Sequence, residues 1–214
     1  KTGINIAEGK NLVGSSYQPQ GVLVDPTILD SLPREEVISG LGEVIKYGAI
    51  RDVDFLNNIS TWLDDIDSFP FKKAVERACE IKAEIVSLDE REDGLRRLLN
   101  FGHTVGHALE AHFGYGRLRH GEAVSLGMKC AGWISKEMGF LSETENKTLN
   151  QTIDKLTLPS VSKMDPNTIL SYVKKDKKVR NGILHFVVLD ALGKGNTTEL
   201  ISDKMIKDSL KVIQ

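Results

Sequence analysis

The stretch from Leu98 to Val124 reads LLNFGHTVGHALEAHFGYGRLRHGEAV and holds four of the chain's five histidines. His103 and His107 are four residues apart, a spacing that stacks them on one face of a helix. Gly114, Tyr115 and Gly116 end any helix begun near His103, so His120 can return toward the pair from a separate segment. Imidazole binds zinc through a neutral nitrogen, and a catalytic zinc takes three protein ligands with one position left for water or substrate. The cluster therefore points to a metal site, with room for a ligand from elsewhere. His112 points away from the His103/His107 face and His185 falls in a strand pattern, so both read as structural.

Two other places break the apolar pattern. Gly40, Gly42 and Gly48 lie in a helical stretch, where each costs roughly 1 kcal/mol against alanine. Glu43 and Lys46 sit among them, either as a surface ion pair or with Glu43 supplying a metal ligand where the glycines let a backbone or ligand come close. Farther on, an apolar stripe runs Val75, Cys79, position 82, Val86, and position 82 is lysine. A lysine on a buried seam is costly unless paired, so Lys82 either snorkels or binds an anion.

The elements that must position these residues follow from periodicity. Residues 1–25 are punctuated by glycine, and Gly21 to Asp25 gives a brief strand-like run stopped by Pro26. From Leu32 the pattern turns helical, with Pro33 and the acidic Glu35 and Glu36 suited to a first turn and Val37, Ile38, Leu41, Val44 and Ile45 on the 3.6 period. Helical patterns recur at 52–65, 70–90, 95–113, 120–139, 143–156 and 166–175. A strand patch at 184–189 precedes a Gly193/Gly195 loop and a last helix near 202–213. The expectation is a mainly α chain, a multi-helical domain with short β segments at its N-terminal end and near 183–190.

Composition bounds the partners. The 214 residues carry a net charge of -2, with 40% hydrophobic and 27% charged residues, as for an ordinary globular core. A phosphate-backbone surface shows as basic excess, so nucleic acid is not expected. No apolar run nears the ~20 residues of a membrane span, and the first ten residues lack a signal peptide's apolar core. A cytoplasmic protein is expected, with Cys79 and Cys130 as reduced, buried thiols. Ser39 to Ile45 has only the first two glycines of a dinucleotide fingerprint and follows no strand, so it is a false match.

Read together, Gly9-Lys10-Asn11, GLGEVIKYG (40–48), CEIKAEIV (79–86), DEREDG (89–94), LLNFGHTVGHALE (98–110), HGEAV (120–124) and DKK (176–178) resemble the 3-dehydroquinate synthase family of NAD- and metal-dependent sugar-phosphate cyclases. The resemblance spans most of the chain and implies the C-terminal portion of such an enzyme. Residues 1–30 would be the remnant of an N-terminal NAD-binding domain lying outside this sequence, and 31–214 the helical metal- and substrate-binding domain of the dehydroquinate synthase-like fold. It implies Glu43, His103 and His120 as ligands of Zn2+ or Co2+. His107, Asn100, Asn11, Lys1 and one of Lys177 and Lys178 would face the substrate phosphate, Lys82 and Arg96 its carboxylate, and Lys46 the hydroxyls at the metal. Lys1, Lys10, Ile28, Leu29, Asp30 and Ser31 would touch NAD.

The implied reaction is that of a carbon-oxygen lyase of the shikimate pathway of aromatic amino acid biosynthesis. It converts 3-deoxy-D-arabino-heptulosonate 7-phosphate to 3-dehydroquinate and phosphate by oxidation, elimination, reduction and ring closure. This chain alone is expected to be inactive, and the family to be homodimeric. The alternatives are another NAD-dependent sugar-phosphate cyclase, a metal-dependent polyol or alcohol dehydrogenase, and a non-catalytic helical module.

Overall fold

A computed structural model of the chain describes residues 2–6, 9–15, 17–114, 117–162, 164–175, 179–180 and 183–214. Two compact units emerge, Lys1–Asp30 and Ser31–Gln214. In the first, β1 (Thr2–Ile6) and β2 (Gly9–Ser15) form an antiparallel hairpin with Thr2 opposite Ser15 and an irregularity between Ile4 and Ile6. The strand expected at Gly21 to Asp25 does not form. Val22, Leu23 and Val24 are exposed and pair with no strand among the described residues, so their backbone gains no ladder hydrogen bonds from extension. Asp25 instead accepts from the Thr27 amide at 3.0 Å and hydroxyl at 2.7 Å, opening a 3-10 turn over Pro26–Ser31.

The second unit is mainly α, as the periodicity predicts. Its elements are α1 (Arg34–Arg51), α2 (Val53–Trp62), α3 (Phe71–Leu88), α4 (His103–Phe113), α5 (His120–Glu137), α6 (Glu143–Asp154) and α7 (Pro166–Lys175). The two-residue strands β3 (Val179–Arg180) and β4 (Ile183–Leu184) follow, then the hairpin β5 (Phe186–Ala191) and β6 (Lys194–Thr198), and α8 (Asp203–Ser209). No helix among the described residues is long and apolar enough to cross a membrane.

Local chemistry sets the boundaries. Asp52 caps α2 by accepting from the Phe55 amide at 2.9 Å, and Arg77 of α3 donates to its other oxygen at 2.8 Å. Ser142 and Glu145 form a reciprocal capping box on α6. Within the unit, α5 is the central helix, with α1, α4, α6, α8 and β5 all packed on it. Its small residues make that possible: a Cβ on Gly121 would stand 1.7 Å from the Ser39 carbonyl oxygen, and one on Gly127 1.9 Å from that of Gly102.

The same crowding corrects the expected single helix over 95–113. Leu95–Asn100 is a 3-10 turn, and α4 starts afresh at His103. Between them Gly102 has φ +79°, and a Cβ there would meet the Val124 carbonyl oxygen at 2.5 Å. Only glycine adopts that backbone conformation readily while pressed on α5, so the chain must break before the helix resumes. His185 lies between β4 and β5 rather than within a strand. Cys130 is buried as expected, its thiol pushed up to about 12 by desolvation, but Cys79 is exposed.

Candidate metal centre and anion-binding loop

His103 and His120 are the first residues of α4 and α5, and Glu43 projects from α1. Because α1 and α4 both pack on α5, the three side chains meet. The imidazole Nε2 atoms of His103 and His120 each lie 3.3 Å from the same oxygen, Glu43 Oε1. The other carboxylate oxygen of Glu43 accepts from Lys46 Nζ. Lys46 is only 3% exposed, which removes the reading of Glu43 and Lys46 as a surface ion pair.

Each ring's second nitrogen is also engaged. His103 Nδ1 is 3.1 Å from the Phe101 carbonyl oxygen, and His120 Nδ1 is 3.1 Å from Glu110 Oε2. In both rings Nδ1 is thus engaged on one side while Nε2 faces Glu43 on the other. Candidate ligand atoms of Glu43, His103 and His120 all fall within 4.8 Å of one another. Two imidazoles and one carboxylate suit a divalent ion with an open position. Side-chain exposure rises from 11% at His103 through 28% at Glu43 to 40% at His120, so the cluster opens to solvent on the His120 side.

The charges are tuned by neighbours. Burial alone would raise the Glu43 carboxyl, but hydrogen bonds from His103 and His120 and the Lys46 charge outweigh it and hold it far below the usual range. His120 is pushed up to about 9, first by its hydrogen bond to Glu110, then by Glu43. Burial pulls Lys46 down against the pull of Glu43, and the nearby charge of Lys82 adds to the lowering. His107 completes the cluster, its ring 5.4 Å from that of His103 and 5.7 Å from that of His120.

A second feature adjoins in sequence. After α3 the carboxylate of Asp89 accepts from the amides of Asp93 at 3.1 Å, Gly94 at 2.8 Å and Arg96 at 2.9 Å. The Arg96 guanidinium donates to the Glu90 carbonyl oxygen at 2.7 Å. Glu92 sits at φ 65°, unusual for a non-glycine residue, and its carboxylate accepts from Asn100 Nδ2 at 2.9 Å.

With this geometry in view, the comparisons decide the family. The chain matches the 3-dehydroquinate synthase C-terminal family model over residues 40–179 and the 3-dehydroquinate synthase N-terminal model over residues 1–39. It belongs to the 3-dehydroquinate synthase family. The 3-dehydroquinate synthase of Nitrosomonas europaea is 41% identical over 214 residues, covering 98% of this chain and 58% of the relative. That of Alkaliphilus metalliredigens is 43% identical over 205 residues, covering 94% and 57%. The chain thus spans a little under three fifths of the length of these curated relatives. Among solved structures, 2-deoxy-scyllo-inosose synthase complexed with carbaglucose-6-phosphate, NAD+ and Co2+ superposes with TM-score 0.82 at 26% identity, over 99% of this chain and 61% of that one. The fold is also that of 2-epi-5-epi-valiolone synthase from Streptomyces hygroscopicus subsp. jinggangensis with NAD+ and Zn2+ bound, TM-score 0.88 at 24% identity, over 99% and 60%.

Within this member of the 3-dehydroquinate synthase family, the residues expected to act divide three ways. Glu43, Lys46, His103, His107 and His120 are brought together. Lys82 lies on α3, close enough to Lys46 to depress it, and Arg96 and Asn100 lie in the 3-10 turn Leu95–Asn100. Lys1, Lys177, Lys178 and the side chains of Lys10 and Asn11 lie outside the described residues, while Ile28 to Ser31 form the end of the 3-10 turn.

One premise is corrected. Lys82 does not lie on a buried seam: α3 buries Ala74, Ala78, Ile81 and Ile85, one position earlier on the helical wheel, and leaves Lys82 exposed. Exposure leaves its ammonium available to an anion. The expected structural roles of His112 and His185 fit their contacts, His112 against Phe113 and Tyr172, and His185 beside Arg97 and Glu199. Sequence reasoning missed Glu92 and Glu110. Glu110 had a signal, a carboxylate three residues after His107 in an otherwise apolar run.

Proposed function

We propose that this chain supplies the metal- and substrate-binding half of a 3-dehydroquinate synthase, which converts 3-deoxy-D-arabino-heptulosonate 7-phosphate to 3-dehydroquinate and phosphate. The observation that carries the reading is the meeting of the His103 and His120 Nε2 atoms on one oxygen of Glu43, each at 3.3 Å. Glu43, His103 and His120 are the metal ligands in this reading. A divalent ion held there, Zn2+ or Co2+, supplies Lewis-acid polarisation of a substrate oxygen, and NAD supplies reversible hydride acceptance.

The chain's own residues do the rest. Lys46, buried beside Glu43, presents an ammonium to the substrate hydroxyls and holds the Glu43 carboxylate in register. Lys82 and Arg96 grip the substrate carboxylate with charge-assisted hydrogen bonds. His107, Asn100, Asn11, Lys1 and one of Lys177 and Lys178 bind the phosphate in this reading, and His107 would move a proton as that group leaves. Lys1, Lys10 and Ile28 to Ser31 contribute to the NAD site. A cytoplasmic homodimer that acts without membrane or nucleic acid belongs to the same reading.

The test joins this chain to the N-terminal portion of the Nitrosomonas europaea relative and follows inorganic phosphate released from the sugar phosphate. Turnover with no net NADH is the expected result, whereas net NADH without phosphate release would favour a polyol dehydrogenase. Within the chain itself, His103→Ala should abolish stoichiometric zinc, and unchanged zinc content in that variant would overturn the ligand assignment.

A further inference from the structure

Glu110 is a carboxylate with a side chain only 7% exposed, in the last turns of α4. A buried charge is costly unless paired and hydrogen-bonded, so its position needs a cause. Along α4, His103, His107 and Glu110 fall at i, i+4 and i+7 and form one stripe facing the start of α5. Two glycine contacts press the helices together there, since a Cβ on Gly106 would meet the Ala123 carbonyl oxygen at 3.0 Å and one on Gly127 the Gly106 amide at 2.9 Å. The carboxylate is thereby delivered to the outer nitrogen of His120, 3.1 Å away.

We propose that Glu110 is a positioning residue for His120: its carboxylate accepts a hydrogen bond from Nδ1–H, which fixes the ring's tautomer and turns Nε2 toward Glu43. This rests on the metal reading above. It gives α4 three tasks on one stripe, a ligand, a substrate-facing histidine and the orienter of the ligand on the next helix. The carboxylate also raises the basicity of the imidazole, which strengthens it as a ligand. A rival role exists on the same geometry. Candidate ligand atoms of His107, Glu110 and His120 also lie within 4.8 Å of one another, so Glu110 as a direct ligand of a second ion is the alternative to defeat.

The experiment titrates the metal-free chain with Zn2+ against a chelator for the unaltered sequence, Glu110→Gln and Glu110→Ala, and records the visible spectrum of each chain loaded with Co2+. The isosteric glutamine keeps the packing and can still accept from Nδ1, so it controls for a folding defect. One ion per chain is expected, with affinity falling roughly 10–100-fold in Glu110→Ala and less in Glu110→Gln, a range typical of outer-partner loss. The Co2+ spectrum should change in Glu110→Ala, because ring orientation alters the coordination geometry. Affinities within about twofold of the unaltered chain, with unchanged spectra, would overturn the proposal. So would two ions per chain reduced to one by Glu110→Ala. If the unaltered chain takes up no zinc, the metal reading itself fails and this inference falls with it.

Discussion

At the scale of single residues, Asp89 shows how a carboxylate outside the cluster can shape the loop that follows α3. It accepts the amides of Asp93, Gly94 and Arg96, hydrogen bonds that hold its carboxyl down to about 2, against the usual value near 3.8. A depressed folded-state value means the stabilisation is fully present above about 3.8 and is lost as pH falls through about 2. Asp89→Asn should therefore lower stability in urea unfolding at neutral pH, and the gap from the unaltered chain should close as the pH is taken down through that window. A gap that stays constant would show that the charged form of Asp89 contributes nothing. The loop it shapes carries Arg96, so the same scale holds a second prediction. Losing a charge-assisted bond costs ~1.5–3 kcal/mol. In the joined enzyme, Lys82→Ala should thus weaken substrate binding by roughly ten- to a hundredfold while zinc content stays unchanged. Affinity within about twofold would leave Lys82 no role in gripping the carboxylate.

Helices, at the next scale, decide how near those residues can come. At several points α5 meets α1 and the start of α4 backbone to backbone, and glycine is what permits so close an approach. Gly121→Ala would drive a Cβ to 1.7 Å from the Ser39 carbonyl oxygen, on the residue next to His120. Overpacking usually costs 1–3 kcal/mol, and with backbone as the obstacle the loss should reach the upper end of that range or exceed it, with weakened zinc binding. Gly40→Ala, in the exposed middle of α1 with nothing within 4 Å of the added atom, should instead stabilise by about 0.5–1 kcal/mol. Thermal unfolding of the two variants checks both signs. This contrast also explains what was legible in the sequence. Periodicity marked the stretches that hold α1 to α8 among the described residues, and the histidine spacing named the cluster, because both are local signals. Three glycines in α1 read as room for a ligand or backbone, yet only the structure separates Gly42 and Gly48, pressed on Gly121 and Leu56, from the open Gly40. The break at Gly102 and the exposure of Lys82 were hidden for the same reason. Each depends on which face of a neighbouring helix the chain meets.

Over the whole molecule, the candidate ligands come from three helices, so an ion at their meeting point would tie α1, α4 and α5 together. A ligand that binds only the folded state stabilises it by about 2.7 kcal/mol at a hundredfold excess over its Kd. Zinc should raise the Tm of the chain in proportion to its logarithmic concentration, and His120→Ala should remove the dependence. The burial of α5 has one more consequence. Nearly all of its residues from Gly121 to Ser135 are inside the protein, whereas the loop from Asp89 to Gly94 is largely exposed. Amide hydrogens in such a helix exchange with deuterium only when the entire unit unfolds, while those of an exposed loop exchange through small local openings. The two regions should therefore keep different clocks. In hydrogen exchange, amides of α5 from Gly121 to Ser135 are expected to be protected far longer than those of Asp89 to Gly94, so that His120 stands at the head of a slowly exchanging helix while the loop leading to Arg96 opens readily.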